Sequence, residues 1–285
     1  MNIIVTGGNG FVGKELISFL KKEHVIFNLE LNQNADVDNN ISIDLSDTHK
    51  VRKYFEVFKE NNTIDIIIHL ASKLASAETI YDVDILQYNI KLYESIVIIS
   101  KLLKPNKIIN FSSSAVYSCR NAISNEVSEI RPSTNPDCLY GLSKICGENI
   151  LDFMLGDQDI VVSHLRISQI YGEHMREDRI IPSMLHELHH NNTITVFGNG
   201  KRNINFIHIR KLVNVVNQFI KNDLKGIYNV GDEQLTLLTL AEKLIKRHGN
   251  KASKIITKEN GSRIDTILDD SKFRAIINSH MRNNR

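Results

Sequence analysis

Apolar and polar positions change period repeatedly along the first 172 residues of this 285-residue chain. Residues 2–6 are β-branched and apolar, and Phe11, Leu16, Phe19 and Leu20 then recur at helical spacing over 11–22. Residues 25–31 predict a second strand. Asp47 caps a helix over 47–60, and 64–70 is wholly apolar. A long helical stretch, 83–103, leads to a strand at 107–112, and a helix over 137–155 leads to a buried strand at 160–165. Strands apolar throughout and separated by helices predict a parallel sheet covered on both faces. Right-handed crossovers make such a sheet doubly wound. Beyond residue 172 the alternation loosens into short strands (193–197, 204–207), helices (210–221, 239–248) and polar loops. The expected fold is α/β, a doubly wound sheet over 1–172 with a smaller lobe over 173–285 that interleaves with it.

Composition narrows the function classes. The 42% hydrophobic and 24% charged fractions are those of a soluble globular protein. A net charge of +2 argues against nucleic acid as a partner. Apolar runs such as 95–103 are far short of the ~20 residues that span a bilayer, so no membrane partner is expected. Cys119, Cys138 and Cys146 form no C-x-x-C pair and suit reduced thiols in a cytoplasmic protein. No signal peptide is visible at the start.

The first strand runs into Thr6-Gly-Gly-Asn-Gly-Phe-Val-Gly13. Gly7 permits a tight turn, Gly10 lets a pyrophosphate approach the backbone, and Gly13 lets helix and strand close up. The helix N-terminus beyond, at Phe11 and Val12, supplies free N–H groups and a positive dipole end. Between a strand and a helix, this pattern predicts a Rossmann dinucleotide site. Glu30 ends the second strand at the spacing from which an acid bonds the adenosine ribose, and no arginine follows in 31–40 to attract a 2′-phosphate. NAD is expected over NADP, which stays possible.

Tyr140 and Lys144 stand four apart in a predicted helix, hence on one face. An ammonium beside a phenol favours phenolate, so the pair could move a proton to or from an alcohol near neutral pH. With these motifs the chain resembles the extended short-chain dehydrogenase/reductases, the NAD-dependent epimerase/dehydratase group acting on nucleotide sugars. The resemblance is strong to residue 172 and looser to 272. It implies that Asp44 and Leu45 (in Ile43-Asp44-Leu45) contact the adenine, that Leu70 and Ala71 (in His69-Leu70-Ala71-Ser72) line the cofactor, and that Asn89 belongs to the same site. Phe111-Ser-Ser-Ser-Ala-Val-Tyr117 resembles the strand end bearing the catalytic hydroxyl, which selects Ser113 with Ser114 beside it. Tyr140 and Lys144 then match the catalytic pair, with Lys144 also holding the nicotinamide ribose. Leu165 to Gly172 resembles L-R-x-x-N-V-Y-G, with Gln169 in the asparagine's place.

Dehydratases of this group carry Asp-Glu after the catalytic threonine; here those places hold Ser114 and Ala115, which cannot deliver a proton. The resemblance leaves 4-epimerisation, expected first because tightly held NAD can be recycled, reduction of a 4-keto sugar nucleotide, or single oxidation. In the lobe, Ile204 and Asn205 replace an Arg-Asp pair whose arginine clamps the substrate diphosphate. Arg179, Arg202 and Arg263 are the candidate substitutes, since guanidinium suits phosphate. The resemblance also implies a homodimer paired through helices 83–103 and 137–155, and work in cell-surface polysaccharide synthesis. A non-catalytic dinucleotide sensor is the competing class, but it would not need Ser113, Tyr140 and Lys144 together. His186-Glu187-Leu-His-His190 satisfies H-E-x-x-H, yet histidines also suit a helix's last turn, and no third ligand follows. No metal is expected.

Overall fold

The structure, a computed structural model, describes residues 1–32, 39–76, 78–118 and 123–276. The first half alternates as the pattern predicts: β1 (Asn2–Thr6), α1 (Phe11–Leu20), β2 (Val25–Glu30), β3 (Asn40–Ser42), α2 (Thr48–Phe58), β4 (Ile66–His69), α3 (Asp84–Leu103) and β5 (Lys107–Ser113). After the short β6 (Ile123–Ser124) come α4 (Cys138–Met154), β7 (Val161–Ile167) and β8 (Gln169–Tyr171). The remainder runs α5 (Ile180–Asn191), β9 (Thr193–Phe197), β10 (Asn203–His208), α6 (Ile209–Lys221), β11 (Gly226–Val230) and β12 (Glu233–Thr236). It closes with α7 (Leu237–His248), β13 (Lys254–Lys258) and β14 (Ile267–Leu268).

Seven strands form one parallel sheet in the order β11-β7-β5-β4-β1-β2-β3. The order reverses between β1 and β4, the switch point outside which a doubly wound sheet opens a crevice. The two-residue alternation of each strand serves two cores at once. Ile3 and Val5 of β1, Ile66 and Ile68 of β4, and Ile109 and Phe111 of β5 face α1 and α6. Ile4, Ile67 and Ile108 face α2, α3 and α4 on the other side. This double burial is why the strands read as unbroken apolar runs.

Helix ends follow local chemistry. The Asp47 carboxylate accepts from the Lys50 amide at the start of α2, and the Thr236 hydroxyl from the Thr239 amide at the start of α7. The lobe buries its own core from α5, β9, β10 and α7, including Met184, Ile194, Ile204, Phe206 and Leu240. Strand β11 pairs with β7 in the main sheet, and Leu212, Val216 and Phe219 of α6 belong to its core. Among the described residues no helix is long and apolar enough to cross a membrane.

Candidate active site

Strand β1 ends at Thr6, whose hydroxyl accepts from the Leu70 and Ala71 amides at 3.2 and 3.1 Å and meets His69 Nδ1 at 2.8 Å. The loops after β1 and β4 are thereby fixed edge to edge at the switch point. Gly7 has φ of +75°, and a Cβ there would lie 2.9 Å from the Ala71 backbone. At Gly13 a Cβ would meet the Gly7 carbonyl at 2.4 Å. Helix α1 begins at Gly10 with no side chain capping it, so its first N–H groups stay open toward the turn. Glu30 Oε1 accepts from the Asn9 amide at 2.6 Å, which holds the acid against this turn. An uncapped helix start, a turn closed to side chains and an acid at the end of β2 fit a dinucleotide. Gly7→Ala is expected to weaken NAD binding at least tenfold by calorimetry, since it meets both strain at positive φ and a backbone contact.

A cavity of about 740 Å³ extends from this turn along the carboxyl edge of the sheet. Of the residues picked out in the sequence it is lined by Gly7, Gly10, Phe11, Val12, Gly13, Glu30, Leu45, Leu70 and Ala71 at one end. Ser113, Ser114, Tyr140, Lys144, Gln169 and Arg179 line the other. Four do not reach it. Asp44 turns its carboxylate to the Ser46 amide and hydroxyl at 2.8 and 2.7 Å, an Asx turn after β3. Asn89 is buried and grips the Lys73 backbone (2.7 and 3.0 Å) and the Ser143 hydroxyl (3.1 Å), so it braces the wall from behind. Arg202 lies outside the lining, and exposed Arg263 pairs with Glu259 at 2.6 Å. Neither is placed to clamp a phosphate in the cavity. Ile204 is packed into the lobe core, which accounts for an apolar residue there.

Ser113 ends β5, and its hydroxyl accepts from the Ala115 amide at 3.1 Å, opening the 3₁₀ turn Ser114–Val116. Helix α4 presses on that turn: a Cβ on Gly141 would lie 2.2 Å from the Ala115 carbonyl. This close approach brings Tyr140 to Ser113. Burial pushes the Tyr140 phenol up to about 12, Asp137 adds to the rise, and Arg179 with the hydroxyls of Ser72 and Ser113 draws it back. The Lys144 ammonium lies 5.4 Å from the Tyr140 ring centroid and 5.7 Å from that of Tyr93, over aromatic faces. Burial pushes Lys144 itself down to about 7, against an upward pull from Glu148.

Sequence reasoning gave no role to Asp137 and Arg176, and quoted Ser72 only as the end of the His-Leu-Ala segment; all three line the cavity. Arg176 stands three before Arg179, within reach of a residue already picked out. Arg176 holds Asp178 in a two-point contact at 3.1 and 2.5 Å. The H-E-x-x-H segment serves α5 instead. Glu187 accepts from the Thr195 amide and hydroxyl at 2.7 and 2.6 Å, while the His186 and His190 rings stack at 4.0 Å. Among the described residues no cluster of three potential ligands could hold a metal.

Fold and site together define a dinucleotide-binding α/β protein with a hydroxyl–phenol–ammonium group beside the cofactor cradle. The family model for NAD dependent epimerase/dehydratases matches residues 3–231, and the chain belongs to that family, whose members act on nucleotide sugars with NAD. It is 28% identical over 269 residues to dTDP-D-glucose 4,6-dehydratase of Bos taurus, covering 86% of this chain and 72% of the relative. It is 26% identical over 287 residues to dTDP-4-dehydro-6-deoxyglucose reductase of Escherichia coli, covering 92% and 88%. The solved UDP-N-acetylglucosamine 4-epimerase of Methanobrevibacter ruminantium superposes with a TM-score of 0.82 at 21% identity, covering 96% of this chain and 91% of that one.

Proposed function

We propose that the protein is an NAD-dependent 4-epimerase of a nucleotide sugar. The observation that carries this reading is the convergence of Ser113, Tyr140 and Lys144 on the same cavity as the glycine turn, with no acid at 114 or 115. Ser114 lines the cavity and Ala115 is buried behind it, so the elimination of water performed by the dehydratase relatives has no proton donor at these positions. NAD, when bound, would accept and return the hydride at the sugar carbon. Ser113 would bond the reacting oxygen, and Tyr140 would take its proton and later give it back. Arg179 would face the phenolate that takes up this proton. Arg176 and Arg179, both on the cavity wall, are the residues offered for the substrate diphosphate in place of Ile204.

A second reading, reduction of a 4-keto sugar nucleotide, is favoured by the protonated state of Tyr140, which suits delivery of a proton to a keto oxygen. The test separates them. Protein purified without added cofactor is denatured and its released nucleotides identified; then UDP-glucose and dTDP-glucose are offered and the products followed by NMR. Retained NAD with inversion at the 4-carbon is expected. An empty site with one NADPH consumed per 4-keto sugar would establish the reductase instead.

The reading includes a homodimer. Helices α3 and α4 pack side by side, and exposed Phe153 and Met154 close α4 beside the groove lined by Ile98 and Leu102. Sedimentation is expected to give a dimer at micromolar concentration; a monomer there removes this part. A cytoplasmic place of action accords with the free thiols of Cys138 and Cys146; Cys119 lies outside the described residues.

A further inference from the structure

Ser112 precedes the catalytic serine and, being one residue earlier on a strand, turns to the opposite face. Its hydroxyl donates to Glu148 Oε1 at 2.5 Å. Glu148 stands on α4 one turn after Lys144, buried to 2% exposure. The same oxygen accepts from Arg166 Nε of β7 at 3.0 Å, and Oε2 from Arg166 Nη2 at 2.6 Å. Arg166 Nη1 donates to the Tyr117 hydroxyl at 3.0 Å, which donates to Asn229 Oδ1 of β11 at 2.7 Å. One carboxylate thus links the helix that carries Tyr140 and Lys144 to the strand end that carries Ser113.

A buried ion pair is weak as a source of stability, because desolvation offsets most of the attraction. Its two-point geometry is what an apolar replacement would lose. The charged and titratable groups facing Lys144 are Glu148 and Tyr140 on its own helix, Tyr93 from α3 and His69 from β4. Those facing Glu148 are Lys144, Arg166 from β7 and Tyr93 from α3. Among these described groups around Lys144, Glu148 is the carboxylate.

We propose that Glu148 is a positioning residue: by holding Ser112 and Arg166 it fixes α4 against β5, sets the approach of Tyr140 to Ser113, and is the counter-charge of Lys144. This rests on the acid/base reading above. The charge half is tested without substrate. In [ε-13C]lysine-labelled protein the Lys144 resonance is assigned by its loss in Lys144→Arg and titrated. Glu148→Gln is expected to lower its midpoint by about one pH unit. Should that variant fail to fold, the neutral pair Glu148→Gln/Arg166→Gln is titrated, with a smaller fall expected. An unmoved midpoint in the folded variant overturns the counter-charge.

The geometric half uses Ser112→Ala and the nucleotide sugar that the wild-type protein turns over. Here kcat is expected to fall about tenfold with KM within twofold, as a small misplacement of reacting groups does. An unchanged kcat overturns the positioning role. Full activity of Tyr140→Phe would instead bring down the underlying acid/base reading, so the two failures are distinct.

Discussion

Tyr140→Phe is expected to lower kcat by about 10²–10⁴-fold, the contribution of a positioned proton-transfer group, while leaving NAD affinity unchanged. The substitution removes one oxygen and keeps the ring that α4 packs beneath the cavity. The hydroxyls of Ser72 and Ser113 remain beside the gap, but an alcohol in that place can relay a proton only if another group accepts it. Lys144, pushed down to about 7 and 5.4 Å from the ring centroid, would be the remaining candidate. The measurement is steady-state turnover of the same nucleotide sugar by wild type and variant, with calorimetry for NAD. Activity within threefold of wild type would mean that another group moves the proton. A loss of NAD binding equal to the loss of rate would make Tyr140 a cofactor ligand and no more.

What the sequence disclosed about the fold follows the strength of each local signal. The strands β1, β4, β5 and β7 are buried on both faces and therefore apolar at every position, so they stand out; β11 and α6 do not announce that they return to the same sheet. Gly226–Val230 follows a helix with a period much like any other, and only its pairing with β7 places it. The three-residue β3 is too short for a period to register. The site was legible where backbone geometry dictates the residue, as at Gly7 and Gly13, or where helical spacing does, as at Tyr140 and Lys144. It was illegible where burial decides. Spacing set Lys144 beside the Tyr140 phenol, but it carries no sign of the burial that moves each side chain away from its charged form. Arg202 and Arg263 read as phosphate ligands by type; only the folded chain places them away from the cavity.

That desolvation carries the second large expectation. Lys144 ordinarily titrates at 10.5 and is pushed down to about 7 in the fold. Below pH 7 both folded and unfolded chains carry the proton, and the folded one bears the whole cost of a buried ammonium. Between about 7 and 10.5 the unfolded chain binds the more protons, so stability of the cofactor-free protein rises with pH. Tyr140 sets the opposite limit: raised from 10.0 to about 12, it stays protonated in the fold while the unfolded phenol ionises, so stability declines above pH 10. Lys144→Met removes the first slope. A thioether of similar length suits the aromatic faces of Tyr93 and Tyr140. The variant is expected to melt several degrees above wild type at pH 7, to lose the rise between 7 and 10 while keeping the decline above it, and to lose catalysis by at least about 10²-fold. Thermal melts across pH, paired with turnover, decide it. A variant that melts lower than wild type at pH 7 would show that the ammonium is stabilised by its surroundings. A variant that melts higher and is inactive would identify Lys144 as a place where the fold gives up stability to keep a cation beside the reacting hydroxyl.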